Sequence, residues 1–210
     1  MLGFPIAILG ANAFEWYAHK VWLHEYPSKH RNAPFFTHIR HHKRVRLNQF
    51  EDESYRESMW RDQEMFNEKA ALIGLCVVST TVLPVAPFFT LGAYYSAWQY
   101  WSKHSKAHLD PEWAKQNLPW HYDHHMNSNQ NANWCVTRPW FDYIMGTRII
   151  GDPEIAESNP LGMSLPGWLE RPVNGVARRV LPKAFRRLNE NRLEESQRQA
   201  KGQTTDIVAA

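Results

Sequence analysis

The sequence predicts an all-α protein in which an N-terminal helix and a helical hairpin are embedded in a membrane and carry a charged helical cap. Three observations predict this architecture: two segments lack charge, prolines divide the longer segment, and histidines recur at helical spacings. Residues 1–14 and 70–101 contain no Asp, Glu, Lys or Arg, so every charged residue lies elsewhere in the 210-residue chain. The mean hydropathy of −0.56, which by itself suggests a soluble protein, averages these unlike parts.

The composition limits the classes of protein to which the chain can belong. Its 24 Lys and Arg against 21 Asp and Glu give a net charge of +3. A nucleic-acid-binding domain carries a denser basic stripe, so no nucleic acid partner is expected. The hydrophobic fraction of 43% excludes disorder for most of the length. We expect one domain over residues 1–150, followed by an irregular linker and a basic helix or tail over residues 151–210.

The N-terminal third of the chain is predicted to be largely helical. Residues 1–14 begin a membrane helix that runs on toward Ala18; they lack the basic start and the cleavage pattern of a signal peptide. Residues 15–45 are predicted to be helical with breaks at Pro27 and Pro34. Residues 51–68 carry many acids and are predicted to form an exposed amphipathic helix that leads into the hairpin.

The hairpin is predicted from the 32 uncharged residues between Ala70 and Trp101. The run exceeds the roughly 18 apolar residues that suggest a membrane segment, and Pro84 and Pro87 divide it into helices over 70–83 and 87–101. Each helix would be roughly 21–23 Å long, short of a hydrocarbon core of about 30 Å. The pair therefore either extends into flanking residues or enters the bilayer without crossing it. The alternative is a buried hairpin in a soluble core.

The C-terminal half is predicted to contain a largely helical segment, then an irregular segment, then a basic tail. Residues 102–147 are helical up to Asn127, where a loop with alternating asparagines follows. Residues 151–175 hold four prolines and four glycines and are predicted to be irregular. From Arg178 onward the chain is basic. This tail is either an amphipathic helix on anionic lipid or a solvated helix that frays after Gln199, and the sequence does not decide between them.

Ten of the eleven histidines fall into four groups. The groups are H-x4-H (His19, His24), H-x2-H-H (His38, His41, His42), H-x3-H (His104, His108) and a second H-x2-H-H (His121, His124, His125). Residues three and four apart share one face of an α-helix, so the last three groups each project their rings from one side. The H-x4-H pair differs, because five residues leave its rings roughly 140° apart. Either the helix distorts so that these two rings meet at one site, or the two histidines bind different metals. His30 stands alone and is predicted to be a bystander.

The histidine groups predict a metal centre in the cap. Imidazole is a common ligand of Fe, Zn and Cu, and ten imidazoles are too many for one ion but suffice for two. A hairpin enters and leaves a membrane on the same side, so all four groups share a compartment. Arg40, Lys43, Arg44 and Arg46 place that compartment in the cytoplasm. We therefore expect a cytosolic helical cap holding a His-rich dimetal centre, in an integral, multi-pass protein of the cell inner membrane or endoplasmic reticulum.

Together these motifs resemble those of the fatty acid hydroxylase / sterol desaturase superfamily, a group of membrane non-haem di-iron oxygenases. The order of the four histidine groups is similar to that of the fatty acid 2-hydroxylases in particular. The segment from Asn133 to Thr147 resembles the family's N-[FY]-G-V-T-x-P-x-[WF]-D-x-x-x-G-T ending, with Cys135 where the family usually has glycine. The resemblance covers about residues 15–147.

The resemblance implies a membrane-bound oxygenase that hydroxylates a C–H bond of a fatty acyl, sterol or isoprenoid lipid, using O2 and an external electron-donor protein. The ten grouped histidines would hold two iron ions, and zinc could occupy the same sites in purified protein because imidazole accepts both. Glu15, Asp123 and Asp142 are candidates to accept the N–H groups of the ligating imidazoles. Asn133 either lines the pocket or shapes its loop.

Two alternatives remain open. A lipid desaturase or a carotenoid-type hydroxylase could use the same metal centre. A non-catalytic membrane metal-binding protein, such as a transporter or store, is a different class. A transporter would be expected to carry His or acids within its membrane segments, and residues 1–14 and 70–101 contain none.

Overall fold

The computed structural model describes residues 1–30, 32–151 and 165–202, and this part of the chain is predominantly helical. Its ten α-helices are α1 (Gly3–Ala18), α2 (Tyr26–Lys29), α3 (Phe36–Leu47), α4 (Gln63–Thr80), α5 (Pro87–Leu109), α6 (Pro111–Asn117), α7 (Pro119–Met126), α8 (Trp140–Met145), α9 (Gly167–Val180) and α10 (Pro182–Ala200). A π-helical segment (His19–Glu25) joins α1 to α2, and a 3₁₀ turn (Glu53–Arg56) precedes α4. The all-α prediction is confirmed.

Helices α1, α4 and α5 form one end of the molecule. The predicted hairpin is present, and α5 begins at Pro87 as expected, but α4 ends at Thr80 instead of the predicted residue 83, so the connecting turn is longer than Pro84–Pro87. Both helices continue beyond the uncharged run into charged sequence. Helix α1 packs closely against α5. A Cβ atom at Gly92 would lie 2.7 Å from both the carbonyl oxygen of Phe4 and the Cβ of Ala7, so glycine is what permits this approach.

Apolar side chains are exposed on the outer faces of these three helices and in the turn between α4 and α5. Val78 of α4 is 67% exposed, and Val85 of the turn is 84% exposed. The other large apolar side chains on these faces include Ile6, Leu9, Ile73, Val77, Phe88 and Leu91. Among the residues that the structure describes, no helix combines the length and apolar character needed to cross a bilayer, so the predicted multi-pass topology is not supported.

The cap packs α3, α6 and α7 against the C-terminal half of α5. Its core is apolar and fully buried, and consists of Val45, Phe50, Ala107, Ala114, Leu118 and Trp120. Asp110 caps the N-terminus of α6, since its carboxylate accepts a hydrogen bond from the backbone N–H of Trp113. Helix α3 follows the break predicted at Pro34. The break predicted at Pro27 is wrong, because Pro27 occupies the first turn of α2, where a missing N–H is tolerated.

Two other sequence predictions are wrong. The exposed acidic helix expected over residues 51–68 does not form as one element: the chain makes a 3₁₀ turn, α4 begins at Gln63, and Asp52 and Glu64 are buried. The acids are buried because they bond to histidines, as described below. The irregular segment expected over 151–175 is wrong from Gly167 onward, where α9 begins; residues 152–164 lie outside the described part.

Helix α10 returns the C-terminal segment to the cap. Phe185 and Leu188 of α10 pack with Tyr143 and Ile150. The domain boundary expected near residue 150 stays a prediction. The fraying expected after Gln199 concerns chiefly residues 203–210, which are outside the described residues, while α10 itself ends at Ala200.

Candidate metal centre

The ten grouped histidines come from four helical segments and are all buried. The π-helical segment supplies His19 and His24, α3 supplies His38, His41 and His42, α5 supplies His104 and His108, and α7 supplies His121, His124 and His125. His30 differs: it is exposed and its ring stacks on Tyr26 at a centroid distance of 4.4 Å.

The π-helical segment solves the geometric problem of the H-x4-H pair. The backbone N–H of Tyr26 bonds to the carbonyl of Val21, five residues back, which is the π-helical pattern. The wider turn brings His24 round to the face of His19, and their ring centroids lie 5.0 Å apart. The distortion that the spacing required is therefore present.

The imidazoles form two groups whose ligand atoms lie within 4.8 Å of one another. The first His group is His19, His24, His38, His42 and His124, and the second His group is His41, His104, His108 and His125. Helix α3 contributes to both. The groups are adjacent, because the rings of His42 and His125 stack at 4.1 Å between centroids.

His121 is outside both groups by this distance criterion. It is nevertheless a neighbour of the second His group: its Nε2 lies 3.2 Å from Nε2 of His108, and its ring centroid lies 4.8 Å from that of His104. The structure thus brings nine of the ten predicted ligands into two groups and places the tenth beside the second. Metal ligation by these residues stays a prediction.

Burial keeps most of these rings neutral. Removal from water, reinforced by repulsion from neighbouring imidazoles, lowers the pKa of His19, His24 and His42 well below the ordinary value. The same causes act on His125, and burial lowers the pKa of His124 to about 3. A neutral imidazole retains one nitrogen lone pair that can bind a metal.

Three carboxylates hold imidazoles at Nδ1. Asp52 Oδ2 lies 2.9 Å from Nδ1 of His41. The two other pairs are Glu64 Oε1 with His38 Nδ1, at 3.2 Å, and Glu68 Oε1 with His104 Nδ1, at 2.9 Å. Such contacts fix the tautomer and the orientation of a metal-binding ring.

Backbone carbonyls hold three more rings at the same atom. Nδ1 of His19 donates to the carbonyl of Trp134 at 2.6 Å, and Nδ1 of His124 donates to that of Ala132 at 2.7 Å. His108 donates in the same way to the carbonyl of Phe50 at 3.1 Å. Six imidazoles are therefore anchored at Nδ1.

This anchoring gives a test of whether the residues fit a metal. His19 and His38 both bond through Nδ1, so in the neutral rings both Nε2 atoms carry lone pairs. These two Nε2 atoms face each other at 3.0 Å. Two acceptors at this distance repel, and a cation that both bind would offset the repulsion.

Unpartnered atoms support the same fit. Both ring nitrogens of His24 and of His125 are buried without a hydrogen-bond partner, as is Nε2 of His41. Leaving a buried polar atom unsatisfied costs about 1–3 kcal/mol. Coordination to a metal would satisfy these atoms, and an all-imidazole donor set suits iron or zinc.

The sequence reasoning missed Asp52, Glu64 and Glu68. A signal existed for two of them: Glu64 and Glu68 are four residues apart, share a face of α4 and are the last acids before the uncharged run. Burial alone would raise the pKa of Asp52, but hydrogen bonds from His41 and Ser54 hold it below the ordinary value. Nothing in the local sequence separates Asp52 from its exposed acidic neighbours.

Two of the acids proposed as imidazole partners bond instead to the backbone of the loop after α7. Asp142 accepts the N–H groups of Trp134 and Cys135 at 2.8 and 2.9 Å. Glu15 accepts the N–H groups of Val136 and Thr137. The same loop provides the carbonyl that holds His19, so these acids position that ring through the backbone.

The other two proposed residues also shape this region. Asp123 forms an ion pair with Arg148 at 2.7 Å. Asn133, at a φ of 59° in the left-handed region, exchanges hydrogen bonds with the backbone N–H and carbonyl of Ile149 at 2.8 and 2.9 Å. Of the two roles expected for Asn133, these bonds favour shaping the loop.

A cavity of about 600 Å³ extends from the first His group between α1, α4 and α5. His19, His38 and Glu64 line one end, while Val78 and Ser79 line the other. Ser79 follows Glu64 by fifteen residues, which corresponds to a rise of about 22 Å along α4. Small side chains form much of the wall, among them Ala7, Ala11, Ala71, Ala93 and Ala97. The cavity is a long, largely apolar space that ends at the histidines.

Comparisons with known proteins bear on the same part of the chain. A family model described as "Fatty acid hydroxylase" matches residues 4–147, a range that contains all ten grouped histidines and the cavity-lining helices. No curated protein matches the chain, and no solved structure matches it.

Proposed function

Because the chain belongs to the fatty acid hydroxylase family, we propose that it is a lipid hydroxylase that holds two iron ions and inserts oxygen into a C–H bond. One atom of O2 enters the lipid and the other leaves as water. An external electron-donor protein supplies the electrons. The lipid is a fatty acyl, sterol or isoprenoid compound.

The observation that carries the proposal is the meeting of the histidines with the cavity. His19 and His38 belong to the first His group and also line the end of the cavity. A lipid chain lying in the cavity would therefore reach the atoms that would bind the metal. A site that only stored or carried metal would have no use for a long apolar space at its ligands.

The first His group would hold one ion, and the second His group, with His121, the other. Bound iron supplies the redox chemistry that reduces O2 and oxidises the lipid. The carboxylates of Asp52, Glu64 and Glu68 keep their imidazoles oriented for binding.

The cavity walls would position the lipid and exclude water. Small apolar side chains on α1, α4 and α5 leave a narrow space suited to a chain. Arg138 and Gln99 are hydrogen-bonded to each other on the wall, and they would orient a polar end of the lipid. The position of the lipid chain along the cavity then determines which of its carbons reacts.

The exposed apolar end of α1, α4 and α5 supports insertion into a bilayer, since contiguous apolar surface of this kind marks interaction sites. Exposed aromatic side chains lie toward the cap, where the charged residues begin: Tyr17 on α1, Trp22 on the π-helical segment, and Trp98 on α5. Aromatic rings favour the membrane–water interface. Arg40 and Lys43, exposed on the cap, favour a cytoplasmic orientation in the inner membrane or endoplasmic reticulum.

The proposal is tested by comparing lipids of cells with and without the protein. A hydroxylase gives a lipid heavier by one oxygen. A desaturase on the same centre, the second candidate, gives a lipid lighter by two hydrogens. Loss of both products in a His124→Ala variant that still enters the membrane is expected, and retained activity would contradict the role of the histidines.

Metal analysis of purified protein tests the centre itself. About two ions per chain are expected, as iron or as zinc acquired during expression. A stoichiometry of one or none would refute the dinuclear site, whatever the lipid analysis showed.

A further inference from the structure

Helix α9 carries an apolar stripe that no other described element covers. Trp168, Pro172, Val176 and Val180 recur every four residues along α9, and all four are exposed. Trp168 is 76% exposed and Val180 69% exposed. Residues spaced by four lie on one face of a helix, so the four side chains form a continuous strip about three turns long.

The two edges of the stripe differ. On one edge, Ala177 of α9 packs against the cluster formed by α8 and α10. On the other edge lie Arg171 and Arg179, each three residues after a member of the stripe and each exposed. The helix is thus docked on the protein by one side, and it presents an apolar strip bordered by arginines on the next.

We propose that this stripe of α9 lies on the surface of an anionic lipid bilayer, parallel to it, as a second membrane contact of the protein. The proposal rests on the membrane insertion included in the proposed function. It concerns a segment beyond the matched family region, which ends at residue 147.

The positive charges of α9 and α10 indicate that the stripe binds an anionic lipid surface. Helix α9 has three Arg and one Glu, and α9 with α10 has eight Lys or Arg and four Glu. A helix with an apolar face, a basic border and low net hydrophobicity is the type that binds in the plane of a bilayer, and anionic headgroups attract each basic residue near the surface. A second copy of α9 would instead bring arginines together.

The side chains fit this placement. Trp168, at the start of α9, is amphipathic and suits the headgroup level. Arg171 and Arg179 can lay their aliphatic stems along the apolar strip while their guanidinium groups reach phosphates. Arg178, which is exposed, points away from the stripe, because two residues rotate a helix by about 200° from Val176.

The experiment places single nitroxide labels in a Cys76→Ser background, in which the remaining Cys135 is buried. The labelled variants are Val176→Cys in the stripe, Arg178→Cys on the opposite exposed face as the matched control, and Val77→Cys on the exposed apolar face of α4. The full chain is placed in nanodiscs of phosphatidylcholine alone or mixed with phosphatidylglycerol. Collisions of each label with oxygen and with a water-soluble nickel complex report its environment.

In discs containing phosphatidylglycerol, the label at 176 should become accessible to oxygen and protected from nickel, whereas the label at 178 should stay accessible to nickel. Neutralising Arg171 and Arg179 to Gln should lower the ratio of docked to undocked helix by about fivefold for each arginine. Docking that is equal in phosphatidylcholine alone and unaffected by these changes would overturn the role of anionic lipid.

Two other results would also overturn the proposal, and they separate it from the proposed function. A label at 77 in lipid with a label at 176 in water, in both kinds of disc, refutes the docking of α9 and leaves membrane insertion intact. Protection of position 176 in detergent that rises with protein concentration would identify a second copy as the occupant. If the label at 77 is itself in water, the membrane insertion fails as well.

Discussion

His24 lies beside His19, with 5.0 Å between ring centroids, although an α-helix would turn the two rings roughly 140° apart. The π-helical segment His19–Glu25 makes this possible. Such segments are rare and are found frequently at functional sites. The backbone here accepts a less favourable hydrogen-bond pattern in order to bury both rings with the rest of the first His group.

The unpartnered nitrogens of His24 make it a sharp test of this group. His24→Ala removes one imidazole from the first His group, so the metal content measured by mass spectrometry should fall from about two ions per chain to about one. His30→Ala is the matched control, because His30 is exposed and stacks only on Tyr26, and it should leave the content unchanged. Equal metal contents in the two variants would remove His24 from the site.

Asp52 should act on the metal through His41. Asp52→Asn weakens the contact that orients Nδ1 of His41, and loss of such a contact typically lowers metal affinity by about 10–100-fold. Competition with a chelator measures the affinity. Glu53→Gln, one residue away, removes only an exposed ion pair with Arg56 and should have no effect; a matching loss in both variants would point to general destabilisation.

Asp142 should stabilise the loop that holds His19. The backbone N–H groups of Trp134 and Cys135 bond to different oxygens of Asp142, so in Asp142→Asn an NH2 group faces one of the two N–H groups. An unsatisfied buried donor costs about 1–3 kcal/mol, so thermal unfolding in detergent should begin several degrees lower. Asp110→Asn is the control, because Asn caps a helix as well as Asp does and should leave the unfolding temperature unchanged.

Closing the cavity should abolish product without removing metal. Ala71 lines the cavity on α4, and Ala71→Trp would fill the space beside it. Ile73, two residues along, is 56% exposed and lies on a different face, so Ile73→Trp is the matched control. We expect lipid product to be lost in the first variant only, with two ions retained in both. Normal product from Ala71→Trp would mean that the lipid does not use this cavity.

Close packing of α1 on α5 should depend on Gly92. A larger residue there meets the backbone of Phe4 and the side chain of Ala7, so Gly92→Val should destabilise the protein by about 1–3 kcal/mol through overpacking. At Gly74 an added Cβ meets nothing within 4 Å, so Gly74→Ala should be neutral or slightly stabilising. Unfolding temperatures of the two variants measured in the same detergent make the comparison.

Local patterns in the sequence predicted the helical class, the hairpin with its second helix beginning at Pro87, and the four histidine groups. These features depend on residues close in the chain: proline stops a helix, and spacings of three and four place rings on one face. The sequence also showed that His19 and His24 require a distorted helix to share a site, since this follows from spacing alone.

Only the tertiary structure decided which groups meet. The packing and rotation of distant helices decide that α3 contributes to both His groups. They also decide that Asp52 pairs with His41 and Glu68 with His104. The end of the cavity at His38 depends on the same packing. The sequence likewise did not predict the apolar stripe of α9, because the prolines and glycines of residues 151–175 indicated an irregular segment. Contacts between distant residues are set by helix packing, which local propensities do not encode.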